Sequence, residues 1–163
     1  MHRIKITAFI LILCAGTLLF SQTPQWSKEA HKLQNSIRTL DTLLSVNPFP
    51  DEVPGLETAI GNKAGQVMAD LATLQSAMEA EMASLSAGER QEALDAWAEL
   101  MAQVADAGNR LYVRGFSTLS YDLAGTYTTV RASYFSLADT YTLTTKQLPI
   151  GTQVQDGGHW VPW

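Results

Sequence analysis

The chain predicts an all-α fold: an antiparallel helical bundle of three to four long amphipathic helices with an irregular aromatic C-terminal tail. Three observations carry this. Apolar side chains recur four and three residues apart over most of the length, the spacing that lines one face of a helix. Prolines cluster near residues 48–54 and again from Pro149, with none between Pro54 and Pro149. Three nearly identical heptads run back to back at 124–130 (AGTYTTV), 131–137 (RASYFSL) and 138–144 (ADTYTLT), so that Tyr127, Tyr134 and Tyr141 recur every seven residues. Val130 and Leu137 fall between them at the four-three spacing of a helical seam, which makes this a Tyr-lined helix face.

The N-terminus reads as a targeting segment and is set aside before core residues are counted. Residues 1–5 carry Arg3 and Lys5 and no acid, and 6–20 is a largely apolar run followed by Ser-Gln-Thr-Pro. A membrane span needs about 20 apolar residues, so the run is short for an anchor and suits a secretory signal peptide over 1–21. The expected location is the periplasm or the exterior, with membrane contact only through this segment if it stays uncleaved. Cys14 lies inside it, so the chain from Gln22 has no cysteine and no means of forming a disulfide. Removing Arg3 and Lys5 from the 11 basic side chains leaves nine against 16 acidic ones, and this acidic balance argues against nucleic acid or anionic lipid as the main partner.

The helical bundle is expected over 22–148 and the tail over 149–163. Thr23 reads as an N-cap and Pro24 as the first helical residue. Trp26, Ala30, Leu33, Ile37, Leu40 and Leu44 then form a clean seam that Asn47-Pro48 stops. The stretch 47–55 (NPFPDEVPG) is a stiff connector, and Pro54 reads as a second N-terminal proline. Leu56, Ile60, Ala64, Val67, Leu71, Leu74, Met78, Met82 and Leu85 carry the second helix, with Gly61 and Gly65 on one face. Ser86-Ala87-Gly88-Glu89 is a capping box that opens a third helix. Its seam of Leu94, Trp97, Met101, Val104 and Gly108 slips by one residue to Tyr112, Phe116, Leu119 and Leu123. An unbroken helix over 87–148 would reach about 93 Å at 1.5 Å per residue, far beyond what the first two helices can cover. A break or sharp bend is therefore expected near Gly108 to Gly115, giving four helices.

The segment 116–145 holds eight Thr and four Tyr, residues that favour strands. The heptad repeat, the absence of Gly and Pro over 126–148 and the lack of a turn dipeptide favour helix. The tail (PIGTQVQDGGHWVPW) leaves the pattern and ends in His159-Trp160-Val161-Pro162-Trp163. Charge is unevenly placed: 51–106 holds 11 acids against Lys63 and Arg90, whereas 107–148 has four bases against two acids. The second and third helices repel one another, and the less acidic segments relieve that.

Chemistry-bearing constellations are sparse. His31 and His159 are the histidines after the leader, and no Glu-x-x-His pair exists to build a di-metal bundle, so no metal site is expected. Haem held by His31 and one of Met68, Met78, Met82 or Met101 competes with methionine as ordinary core filler, and no cofactor is expected. Glu79 with Glu81 and Glu89 with Glu92 lie in an acid-rich stretch without an apolar pocket to raise a pKa, and there is no Gly-x-Ser-x-Gly elbow. The chain therefore reads as non-enzymatic. Tyr127, Tyr134 and Tyr141 form one candidate interaction surface, since a repeated phenol suits a bundle edge or subunit interface, or the rim of a wide bundle. Trp160 and Trp163 form another, as anchors on a partner or as a strap folded back on the bundle.

Together these features predict an exported helical protein acting through protein contacts or self-association, as a subunit or accessory of a bacterial cell-envelope assembly. The leader, the Leu33-Gln34-Asn35 run in the first helix and the long cysteine-free amphipathic helices resemble in outline the periplasmic minor-pilin subunits of conjugative type IV secretion systems. That resemblance implies a place in such an apparatus. A small-ligand or haem-binding bundle and a helical-hairpin chaperone are the rival classes.

Overall fold

A computed structural model describes residues 23–46 and 53–150. The leader, most of the 47–55 connector, and His159, Trp160 and Trp163 lie outside the described residues. Within them the chain forms four α-helices, α1 (Gln25–Ser45), α2 (Leu56–Glu81), α3 (Ala87–Val113) and α4 (Ser117–Thr140), with a 3₁₀ turn at Met82–Ser84 and no strand. The all-α bundle follows the seams: Leu33, Ile37, Leu40, Ile60, Leu71, Leu74, Met78, Leu94 and Trp97 are almost wholly buried together. Each such large apolar side chain contributes roughly 1.5–3 kcal/mol by leaving water.

Consecutive helices run antiparallel, but the neighbours are arranged diagonally. α1 packs on α2 and α3, and α4 packs on the same two. Gln75 of α2 donates to Ser133 of α4 at 2.7 Å, and the start of α2 (Glu57, Thr58) lines a groove with the start of α4 (Ser117, Thr118), so these two helices are parallel. α1 and α3 are parallel as well, Trp26 lying near Ala96 and Leu44 near Arg110. The α2–α3 turn thus crosses the end of the bundle and sets the two acidic helices on opposite corners. Each is flanked by the less acidic α1 and α4.

Helix ends depart from the sequence reading in three places. Thr23 does not cap α1: Pro24 occupies the cap position with no side-chain bond, and the Gln25 and Trp26 N–H groups donate to the Glu81 carboxylate at 2.9 and 3.0 Å. The far end of the antiparallel partner supplies the acceptor. Pro54 stands outside α2, in a turn that Gly55 closes at φ 79° with Leu56 N–H donating to Val53 C=O. The third difference is the largest: α4 stops at Thr140, eight residues before the expected Leu148.

The break between the third and fourth helices falls where the register slips. Gly115 adopts φ 90°, Gly115 N–H donates to Tyr112 C=O and Phe116 N–H to Leu111 C=O, the paired bonds of a glycine C-cap. Gly108 stays inside α3, and the buried Ser120 hydroxyl donates to its carbonyl at 2.7 Å. The Ser86–Glu89 capping box is present with both bonds formed. Gly61 and Gly65 make no close helix contact, since a methyl at either would meet nothing within 4 Å.

Candidate functional site

Seven-residue spacing puts Tyr127 and Tyr134 on the inner face of α4, where both are fully buried. Trp97 of α3 meets Tyr134 edge to face at 5.7 Å, and Phe135 meets it edge to face at 5.1 Å. A buried phenol needs a partner for its hydroxyl. Both partners come from the chain's own continuation: residues 141–150 turn back along the α3/α4 groove as an extended strap.

The strap is held mainly by its backbone. Gln91 grips both sides of Thr144, its amide donating to Thr144 C=O at 2.9 Å while Thr144 N–H donates to the Gln91 oxygen at 3.0 Å. Lys146 N–H donates to the Tyr134 hydroxyl at 3.0 Å, and the Tyr127 hydroxyl donates to Pro149 C=O at 2.9 Å. Two side chains add to this: Leu148 is buried in the core, and the Lys146 ammonium pairs with Glu99 at 3.1 Å. Tyr141, the third of the series, caps α4 half-buried beneath the Arg90 guanidinium, 4.5 Å from the ring centre. Arg90 also donates to the Met82 and Ala83 carbonyls, tying the α2–α3 turn to the start of the strap.

Electrostatics make the phenols hydrogen-bonding groups and nothing more reactive. Burial pushes the Tyr127 hydroxyl well above its ordinary 10.0, against a smaller pull from Arg131. Burial likewise raises Tyr134, opposed by the bond from Lys146 N–H. Lys146 is raised by its bond to Glu99. Neither phenol ionises at physiological pH.

A second polar node, missed in the sequence reading, lies between α1 and α2. Asp70 is 1% exposed, yet its carboxylate accepts from the Ser36 hydroxyl at 2.6 Å, the Gln66 amide at 2.7 Å and the Lys32 ammonium at 3.0 Å. Burial pushes its pKa up, but the bonds from Ser36, Lys32 and Gln66 together outweigh that and hold it below 3.8. The available signal was positional, because Ser36 and Asp70 each sit beside a seam residue, Ile37 and Leu71. The node joins the two helices at one level and fixes the register of α1 on α2.

The remaining candidates are dispersed. His31 is exposed on α1, whereas Met78, Met82 and Met101 are buried in the core. Among the described residues no three His, Cys, Asp or Glu side chains gather as a metal site would need. Glu81 and Glu89 are used at helix starts, and Glu79 accepts from Gln75. Open grooves of about 220 and 240 Å³ indent the α1/α3 seam, the first beside Leu44 and Val113, the second beside Trp26 and His31. No helix among the described residues is long and apolar enough to cross a membrane.

Fold and site together define a four-helix bundle whose tyrosine seam is occupied by its own C-terminal strap. Comparison of the chain with known protein families, curated proteins and solved structures finds no match.

Proposed function

We propose that this is an exported, non-enzymatic helical protein that works through protein contacts, as a subunit or accessory of a bacterial cell-envelope assembly. One observation supports this reading above the others: the strap is pinned at Thr144, Lys146 and Pro149, so the chain that goes on to Trp160 and Trp163 starts from a fixed point on the α3/α4 face. A fixed root reduces the freedom lost when an aromatic anchor engages a partner. The tyrosines serve the reading indirectly, since Tyr127 and Tyr134 are spent on holding the strap and contacts fall to the outer helix faces and to the tail residues.

The test compares the chain beginning at Gln22 with one ending at Ile150 by size exclusion with light scattering, alone and with cell-envelope extract. Trp160→Ala with Trp163→Ala is expected to reproduce the truncation, abolishing association with components of the extract without changing the helical circular dichroism. A strictly monomeric protein whose contacts are indifferent to the tail would refute the proposal.

A further inference from the structure

The strap offers more than a fixed root, because the sequence at its start carries two incompatible instructions. The third heptad, 138–144, repeats the Tyr-bearing pattern of the two before it and directs α4 onward. The chain instead stops α4 with Thr142 at φ 54°, where Thr142 N–H donates to Asp139 C=O and Leu143 N–H to Ala138 C=O. That is the same cap Gly115 makes after α3, formed here by a β-branched residue that disfavours positive φ. Thr142 is alone among the described non-glycine residues in this conformation. Local preference and tertiary structure disagree at one joint, and strain of this kind collects at switch regions and other functional sites.

The contacts beyond the joint do not require the strap and groove to belong to one chain. Gln91, Tyr134 and Tyr127 address main-chain atoms of Thr144, Lys146 and Pro149, while Leu148 fills the core and Lys146 meets Glu99. An identical segment from another molecule satisfies every one of them. If Thr142 returns to helical dihedrals, the chain no longer turns back at this joint, and residues 143–150 are carried past the end of their own bundle while staying extended.

The geometry points to an exchangeable strap: residues 143–150 of one chain dock in the Gln91–Tyr134–Tyr127 groove of a second copy, with Thr142 as hinge. Reciprocal exchange gives a two-fold dimer in which the same groove is filled twice. The inference rests on the protein-contact reading above and names its partner, a second copy of this chain.

The Lys146–Glu99 ion pair supplies the test without any mutation. Unlabelled and isotope-labelled chains are mixed at high concentration, warmed to just below the unfolding transition, cooled and treated with a carbodiimide, which joins ammonium to carboxylate as an amide. Mass spectrometry of the Glu99–Lys146 cross-linked peptides is expected to show mixed-label pairs in the dimer fraction and same-label pairs in the monomer fraction. Thr142→Gly, which removes the strain of the closed form, is expected to lower the dimer fraction about five-fold, and Thr142→Ile to raise it. If every cross-link joins residues of one chain while the tail tryptophans still mediate association, exchange is wrong and the protein-contact reading stands. Chains that associate in neither experiment would sink both.

Discussion

At the scale of single residues, Asp70 and Thr142 are where the fold is most exposed to change. Asp70→Ala leaves Ser36 and Gln66 without their acceptor in a buried interface and is expected to cost about 2–4 kcal/mol in urea unfolding. Lys32→Ala should cost far less, because the Lys32 side chain is 54% exposed and water replaces it. The Asp70 pKa is depressed in the folded state, so its contribution is complete above the unfolded value of 3.8 and fades as pH falls through the lower folded value. Asp70→Asn should accordingly flatten the acid limb of the stability profile. The buried phenols act with the opposite sign. Their folded pKa values are raised, so the stability they lend is complete below 10.0 and declines as pH climbs past it. Tyr127→Phe should flatten that alkaline limb while costing about 1 kcal/mol at neutral pH for the lost bond to Pro149. Thr142→Gly relieves a left-handed residue and should raise stability by roughly 0.5–1 kcal/mol by thermal melting.

Elements show why some of the structure was legible in the sequence and some was not. The seams of α1 and α2 were readable because burial is periodic, and periodic burial leaves a trace in residue order. The Ser86–Glu89 box was readable because both of its partners lie within one turn. The α1 cap was not, since its acceptor, Glu81, is more than fifty residues away and answers to no local rule. Glu81→Gln keeps an acceptor but loses its charge; Glu81→Ala loses both and should cost about 1 kcal/mol, read by chemical denaturation. The end of α4 was misplaced for a related reason: the third heptad keeps the helical period of the two before it, and the turn is favoured by the distant buried Leu148 and the two waiting hydroxyls. Gly61→Ala and Gly65→Ala provide a contrasting case. Both positions are helical with open space above them, so each change should add about 0.5–1 kcal/mol of stability, measurable in the melting curve.

On the scale of the whole molecule, the diagonal order settles a conflict that composition announced. The two acidic helices are consecutive, and a short turn would ordinarily bring consecutive helices together. Crossing the end of the bundle keeps them apart and gives each two less acidic neighbours. The ion pairs that result, Lys32 with Asp70, Arg110 with Asp41 and Lys146 with Glu99, all join different elements. Deleting the strap at Thr140 should do more damage than any single substitution here, because it uncovers Tyr127 and Tyr134 and removes Leu148 together. Increased binding of a hydrophobic dye would report it.

Running α1 and α3 in the same direction also brings their C-terminal poles side by side, where the partial negative charges of two macrodipoles add. Arg110 bridges to Asp41 there, and Arg114 donates to the Val46 carbonyl at 2.7 Å, so two guanidiniums neutralise that doubled pole. Replacing Arg114 with Met should therefore loosen this end first, and amide exchange over the last turn of α1 should quicken while the strap stays protected.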